Sequence, residues 1–468
     1  MISLRNSLSP VNRLPPEVLT ACAAFVSDAD PRPIVPLTHV CRYWRRSITS
    51  NPKSWVSIST GWGRLVPLCL ERAGAAPLAV DIAIPDLKED SSFLIALLPH
   101  VTRVAHLSLT QYSSTEAVKD DLPGIFTSPM PDLISLELQQ TIEPNALFTS
   151  SKVQVPPVFQ SVSKLKSLSL TRVVIYPPLF AIPSLVELKL IGYTNPSDFG
   201  TFIGFLASNP NLEIVVLDVR FVESSIWAVP AKTVSLARLR RLSITCAKPI
   251  DVKGLLSCIP LPRGTHLEVT CSQATSLGLC LPSPQTPIQK VLTSITVMKF
   301  QATPGEIHVF GVNGLCSFRS PQSIFLWNIE LRPFPTTSVR EIHMNVAPWS
   351  LTPQFLAPLF AQLPALETLV IANSLFWATG TFEPLAGRPP LCPSLKTIVF
   401  FNCRLTPEAL KEFEGVVARR KGSAAAWLYR VIIVGSTEAP PDYARIQQLR
   451  QHVPCVDVRV DDKLPDLS

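Results

Sequence analysis

The chain has 468 residues, of which 47% are hydrophobic and 16% charged, and its formal net charge is +7. This composition is too apolar for a disordered chain, and the length exceeds the usual size of one hydrophobic core unless repeats extend that core in one direction. No apolar run is long enough to cross a bilayer, and the N-terminus lacks the order of a secretory signal. We therefore expect an intracellular protein, cytoplasmic or nuclear, that does not bind membranes.

The first predicted elements lie between Leu14 and Ile58. Proline suits the first turn of a helix, and an acidic residue there complements the helix dipole, so Leu14-Pro15-Pro16-Glu17 predicts a helix start. Apolar residues then follow at helical spacing: Val18, Leu19, Cys22, Phe25 and Val26. A second helical segment is predicted from Pro36, with the apolar residues Leu37, Val40, Cys41, Trp44 and Ile48. Asn51-Pro52 ends that segment, and Trp55 and Ile58 close the unit.

The order of these residues resembles the F-box, in the form common in mushroom-forming fungi. The resemblance continues through the helix Leu68–Ala73, the stop at Gly74 and the strand Pro77–Ile82. It implies a three-helix F-box that docks a Skp-type adaptor and, through this adaptor, a cullin. The positions that match the family's core and adaptor contacts are Leu14, Pro15, Val18, Leu19, Leu37, Val40, Cys41 and Trp44. Sequence alone does not separate core from contact among them.

Beyond residue 100 the chain repeats one pattern, apolar-x-x-apolar-x-apolar, mostly at intervals of 20 to 32 residues with one gap of 47 between residues 292 and 339, which is the period range of leucine-rich repeats or slightly longer. The hexads begin at Val104, Leu133, Leu165, Leu185, Leu212, Leu239, Leu292, Val339, Leu366 and Leu395, with a degenerate member at residues 266–269. Helices are predicted between strands at residues 92–98, 196–207, 252–259 and 353–363. The fold class is therefore predicted as α/β, with the helical F-box followed by a leucine-rich-repeat-like solenoid that has a curved parallel sheet. The alternative is an unrelated α/β domain.

Side chains that alternate with the buried strand residues would face outward and are candidates for binding a target protein. The charged and polar candidates are His106, Glu137, Glu187, Lys189, Arg241, Glu341, His343 and Asn345. Ordinary solvated residues on a strand would give the same pattern, so both interpretations stay open.

Catalytic and metal-binding motifs are missing from the sequence. It contains no nucleophile elbow, P-loop, dinucleotide fingerprint or H-E-x-x-H, and its histidines are isolated from one another. The 11 cysteines are odd in number and form no C-x-x-C. The densest group, Cys246, Cys258, Cys271 and Cys280, has spacings that match no zinc site. We expect no catalytic residues, no cofactor, no metal, and reduced thiols that act as small core residues.

Two short basic clusters are too small to form an electrostatic stripe for nucleic acid. One contains Arg238, Arg240 and Arg241. The other, Arg419-Arg420-Lys421, ends a helix predicted from Thr406, where cations offset the helix dipole. No nucleic-acid partner is therefore expected.

The predicted organisation is an N-terminal extension (1–12), the F-box (13–60), a linker helix with a first strand and helix (61–100), the repeat solenoid (101–460) and a tail (461–468). The leading hypothesis is a non-enzymatic substrate receptor of an SCF-type cullin-RING ubiquitin ligase, monomeric within a hetero-complex, whose repeats bind an unknown protein substrate. The alternative is a non-ligase interaction scaffold with a degenerate F-box, to which the small residues Ala21, Ala23 and Ala24 point. An enzyme with an unrecognised site ranks far behind.

Overall fold

The structure is a computed structural model. It describes residues 10–27, 34–83, 92–111, 128–140, 152–153, 162–172, 174–175, 181–195, 199–221, 233–274, 277–282, 295–303, 306–311, 316–320, 336–345, 353–373, 375–376, 380–387, 389–421, 427–435 and 443–460. The chain forms two compact units, residues 1–222 and 223–468, and each is described by itself. The predicted domain boundaries at residues 12, 60, 100 and 460 stay predictions.

Unit 1 begins with short helices and continues with strands. Its helices are α1 Pro16–Ser27, α2 Ile34–Thr38, α3 Arg42–Thr49, α4 Val66–Ala73, α5 Ser92–Leu97 and α6 Phe199–Ala207, with 3-10 turns at Pro10–Arg13, Pro52–Trp55, Thr60–Leu65 and Leu98–Arg103. Its strands are β1 Ser57–Ser59, β2 Leu78–Ala83, β3 Val104–Gln111, β4 Ser135–Gln140, β5 Lys152–Val153, β6 Ser167–Thr171, β7 Val174–Ile175, β8 Glu187–Asn195 and β9 Ile214–Phe221.

The main sheet of unit 1 is parallel, and its strands follow one another in chain order, β1-β2-β3-β4-β6-β8-β9. In the common doubly wound α/β folds the strand order reverses at a switch point. A parallel sheet in chain order instead results when one unit stacks on the previous one. The short strands β5 and β7 form a second parallel ladder.

Unit 2 has the helices α7 Pro249–Cys258, α8 Leu277–Cys280, α9 Pro353–Ala361, α10 Pro407–Lys421 and α11 Tyr443–Leu449, with 3-10 turns at Thr336–Ser338 and Glu383–Ala386. Its strands are β10 Arg241–Cys246, β11 His266–Cys271, β12 Val297–Thr303, β13 Glu306–Gly311, β14 Cys316–Ser320, β15 Glu341–Asn345, β16 Thr368–Ala372, β17 Leu375–Phe376, β18 Thr397–Phe401, β19 Arg404–Leu405, β20 Arg430–Gly435 and β21 Cys455–Val460. In the part of the chain that the structure describes, no helix has the length and apolar character to cross a membrane.

The sheet of unit 2 departs from the predicted parallel arrangement at one place. Strand β13 runs antiparallel to both β12 and β14, and β14 pairs with β11. The remaining order, β12-β15-β16-β18-β20-β21, is parallel and follows the chain. Short connections, residues 304–305 and 312–315, join these three strands, and a short connection permits an antiparallel pair but not a parallel crossover. The protein is therefore α/β with parallel sheets and one antiparallel insertion.

The apolar positions of nine predicted hexads are buried in both units, for example Leu165, Leu168 and Leu170. The hexad predicted at Leu292 is wrong in register. Strand β12 pairs with β15 so that Met298 lies opposite Ile342, and Ile295 and Met298 are the buried residues. The neighbouring apolar residues fit two registers three residues apart, and the pairing with β15 decides between them. Two further hexads that sequence reasoning missed begin at Leu428 and Val453, both of which are buried.

A left-handed residue follows several hexads at the same position, two residues after the last apolar one. It is Arg172, Gly192, Asn373 or Asn402, with φ between 48° and 60°. The asparagines also bond to one another, since Asn402 Nδ2 donates to Asn373 Oδ1 at 2.8 Å. Glycine and asparagine tolerate this conformation best. The left-handed residue thus recurs at the same position in four of the hexad segments.

Strands β16, β18 and β20 are buried on both faces. On one face Phe400 packs edge-on against Phe382 and Phe413, with ring centroids 5.8 and 5.4 Å away. The opposite face is also apolar and buried: Val370, Ala372, Val399, Phe401, Ile432 and Val434. The continuous apolar runs of these strands, as opposed to alternating ones, are the sequence signal for double burial.

The basic cluster at the end of α10 does more than offset the helix dipole. Arg420 is buried, and its guanidinium donates to the carbonyl oxygens of Leu385 at 3.0 Å, Leu391 at 3.1 Å and Cys392 at 2.5 Å. Arg419 pairs with Glu383 at 2.6 Å on the surface. Arg420 therefore fixes the loop between the turn Glu383–Ala386 and β18.

Replacing Arg420 with methionine is expected to lower the free energy of unfolding by about 2–4 kcal/mol, because three carbonyls, two of them in buried hydrogen bonds, lose their donor. Urea denaturation followed by circular dichroism measures this change. The matched control Arg419→Met should lower the free energy of unfolding by less than about 1 kcal/mol, since the Arg419–Glu383 ion pair that it removes is exposed. Equal effects of the two substitutions would contradict the assigned role of Arg420.

Asp251 lies in the first turn of α7 and is buried. Burial raises the pKa of its carboxyl from the usual 3.8 to about 6, although Lys248 acts in the opposite direction. The folded state therefore binds a proton more tightly than the unfolded state does. This contribution to stability is fully present below pH 3.8 and is lost as the pH rises through about 6.

Removing the Asp251 carboxyl should remove its contribution to the pH dependence of folding stability. We compare the free energy of unfolding of Asp251→Asn with that of wild type at two pH values. The variant-minus-wild-type difference is expected to be higher at pH 7 than at pH 4 by about 1–3 kcal/mol. Urea denaturation of both proteins at the two pH values gives this difference. A constant difference would mean that the carboxyl has the same pKa in the folded and unfolded states.

Candidate partner-binding surfaces

The N-terminal helices α1 to α3 have a small core made of residues from several segments. Leu19, Ile34, Ile48 and Trp55 are all buried. The Trp55 indole donates from Nε1 to the Ile48 carbonyl at 3.0 Å, and the Arg72 guanidinium lies 4.4 Å from the centre of the Trp55 ring. These contacts join the end of α3 to α4, which precedes the first long strand of the sheet.

The eight predicted F-box positions divide between core and surface. Leu19 is buried with 2% of its surface exposed, whereas Val18 and Val40 expose 43% and 52%. Pro15 is exposed, and the remaining four are half-buried: Leu14, Leu37, Cys41 and Trp44. Val11, which the sequence reasoning missed, is also exposed. Apolar side chains thus remain in contact with solvent on α1 and on the segments that flank these helices.

The predicted helical segment from Pro36 to Ile48 is wrong as one continuous helix. It is broken into α2 and α3, and Cys41 between them is extended, with φ −159° and ψ 174°. Arg45 donates from Nε to the carbonyl of Thr38, the last residue of α2, at 2.9 Å. The break puts Val40 outside both helices, so periodicity does not predict its exposure.

Leu14 is held in place by a side chain from α3. The Tyr43 hydroxyl donates to the Leu14 carbonyl at 2.6 Å. A hydrogen bond that joins residues 29 positions apart fixes the entry of the chain into α1.

Replacing Tyr43 with phenylalanine removes this bond and is expected to ease local opening at the start of α1. If the free energy of local opening falls by about 1 kcal/mol, the open form becomes roughly five times more populated. Tryptic cleavage after Arg13 in the native protein should then be roughly five-fold faster. Mass spectrometry of a short digestion measures the rate. Tyr429→Phe is the matched control, because Tyr429 is 62% exposed and lies outside these helices. Unchanged cleavage after Arg13 in Tyr43→Phe would contradict the role of the hydroxyl.

The predicted target-binding residues of unit 1 lie in register on one face of the sheet. His106 is aligned with Ser135, Ser167 and Glu187, and Glu137 is aligned with Lys189 through Ser169. Glu187 is already paired, with Lys189 at 2.7 Å and with Ser167 at 2.9 Å.

The hydrogen bond from Lys189 lowers the pKa of Glu187. His106 and Glu137 are exposed, and within the described residues their side chains have no hydrogen-bond or ion-pair partner. Asp81, which the sequence reasoning missed, lies in the same row as Glu137 and is exposed.

The predicted residues of unit 2 are separated and mostly paired. Arg241 binds Glu268 at 3.2 Å, Glu341 contacts His343, and Asn345 accepts from Asn373 at 3.2 Å. Arg241 lies on β10 and the other three on β15, and four strands, β11, β14, β13 and β12, separate β10 from β15. The sheet therefore does not bring the unit 2 candidates together.

Among the residues that the structure describes, no group of three or more His, Cys, Asp or Glu is arranged to hold a metal ion. No protein-family model matches the chain, and no curated protein matches it significantly.

Proposed function

We propose that this protein is a substrate-receptor subunit of an SCF-type cullin-RING ubiquitin ligase. Helices α1 to α3 dock a Skp-type adaptor, and the adaptor connects the chain to a cullin. The strand faces hold a target protein, and the chain itself catalyses nothing. Ubiquitin transfer is promoted because the receptor raises the concentration of the target near the ubiquitin carrier.

The observation that carries this proposal is the exposure of Val18 and Val40. Both occupy positions that the F-box resemblance assigns to core or adaptor contact. Leu19, which adjoins Val18, is buried, so the small core is already filled without these valines. We infer that the two valines belong to one apolar surface that a partner covers, because contiguous exposed apolar surface marks interaction sites.

The polar face of unit 1 supports the target-binding part of the proposal. Strands β3, β4, β6 and β8 present adjacent rows in strict register, and Glu137 and His106 are available on them. An extended partner can cross several such rows at once, which is how repeat proteins use their strand surfaces.

The first test is copurification of the full chain with a fungal Skp-type adaptor, scored as a one-to-one complex by size exclusion. The double variant Val18→Asp with Val40→Asp should bind at least roughly 30-fold more weakly, because charges would replace the apolar contact. Ile95→Asp is the matched control, since Ile95 is 69% exposed in the same unit and lies outside α1 to α3.

The outcomes separate the two hypotheses. A folded, monodisperse wild-type chain that does not bind the adaptor favours the non-ligase scaffold, which the exposed small residues Ala21 and Cys22 in α1 would suit. Wild-type affinity in the double variant would show that the two valines are not the docking contacts.

A further inference from the structure

Two exposed aromatic side chains lie close together on unit 2, just before β20. Trp427 exposes 47% of its surface and Tyr429 62%, whereas Leu428 between them is buried. This alternation places both rings on the side of the chain opposite to Leu428. Tryptophan and tyrosine are enriched at protein interfaces relative to the rest of the protein surface. The pair therefore marks a candidate docking surface.

The Trp427 indole is held in place although nearly half of its surface is exposed. Its Nε1 donates to the His452 carbonyl at 3.0 Å, and the Lys421 ammonium lies 4.8 Å from the centre of its ring. Lys421 ends α10, and His452 lies in the turn after α11. Because the ring is already fixed, it loses little conformational freedom when a partner covers it, and this favours binding.

A row of charged residues continues from the aromatic pair. The backbone N–H of Tyr429 donates to the Lys396 carbonyl at 2.8 Å. Lys396, Glu367 and Arg340 immediately precede β18, β16 and β15, so neighbouring members of the row lie about 4.8 Å apart. The Glu367 carboxylate pairs with Lys396 at 3.2 Å and with Arg340 at 3.5 Å. One carboxylate thus serves two cations, and Lys421 adds a third cation to this surface.

These residues form one surface, the aromatic–cationic patch, which consists of Trp427, Tyr429, Lys421, Lys396, Glu367 and Arg340. Three cations against one carboxylate leave it with a net charge of +2. We propose that the patch binds an acidic segment of a partner protein. Apolar side chains of the segment pack on the two rings, and its carboxylates lie against the cations. Complementary charge selects acidic segments over basic ones.

A nucleic acid fits the patch less well than an acidic peptide does. Glu367 lies between Arg340 and Lys396, so the cations do not form the continuous positive stripe that is typical of phosphate-backbone binding. The patch also lies outside α1 to α3 and outside the strand face of unit 1. The inference therefore holds whether or not the chain binds a Skp-type adaptor.

Selection of a phage-displayed random peptide library on the immobilised full chain tests the proposal. The selected peptides should be enriched in Asp and Glu next to apolar or aromatic residues. A fluorescein-labelled synthetic copy of the most enriched peptide should bind the wild-type chain in an anisotropy titration, and more weakly at high salt, since the cations are exposed. Enrichment of basic peptides, or no enrichment over an uncoated surface, would overturn the proposal.

Substitutions then locate the binding of the labelled peptide. Tyr429→Ser and Lys421→Glu should each weaken it at least roughly ten-fold. Both side chains are exposed, so the variants should keep the circular dichroism spectrum of wild type. The matched controls are Ile250→Ser, at an exposed position on α7, and Lys411→Glu, at an exposed position earlier on α10, and both should bind as wild type does.

Two results would contradict the assignment to an acidic protein segment. Wild-type affinity in both Tyr429→Ser and Lys421→Glu would place the peptide elsewhere on the chain. Tighter binding of a single-stranded oligouridylate than of the peptide, lost in the same two variants, would assign the patch to nucleic acid.

Discussion

The structure depends on one constraint, which is that no single strand of this protein can bury its own apolar residues. A hexad such as Leu185, Leu188 and Leu190 becomes fully buried because parallel strands lie on both sides of β8 in register. Hydrophobic burial is roughly proportional to the apolar area removed from water, so each added strand stabilises its neighbour as well as itself.

The parallel register also decides which side chains are available to a partner. Where outward residues are polar, as in β3, β4 and β6, the sheet presents aligned rows of hydroxyl and charged groups. Where they are apolar, as in β16, β18 and β20, the same face is buried and adds to the core. One architecture thus supplies a solvated surface in unit 1 and a doubly buried sheet segment in unit 2. The buried cation Arg420 holds the loop before β18 by donating to carbonyl oxygens of residues outside the strands.

The N-terminal helices combine a complete core with exposed valines. Leu19 and Trp55 are fixed by packing and, in the case of Trp55, by a hydrogen bond to Ile48. Val18 and Val40 remain in solvent although they lie close in sequence to buried residues. Burying such side chains against a partner would be favourable, and leaving them exposed in the free chain has a small free-energy cost. The helices therefore suit a role in docking, as proposed for the Skp-type adaptor.

The sequence by itself determined the α/β class, nine of the buried hexads and the helices at Pro353 and Pro407, because spacing of apolar residues and proline at a helix start are local properties. It did not determine the register of β12, where the neighbouring apolar residues fit two alignments and only pairing with β15 selects one. The antiparallel insertion, the break at Cys41 and the exposure of Val40 likewise came from tertiary structure, since each depends on contacts between residues distant in the chain.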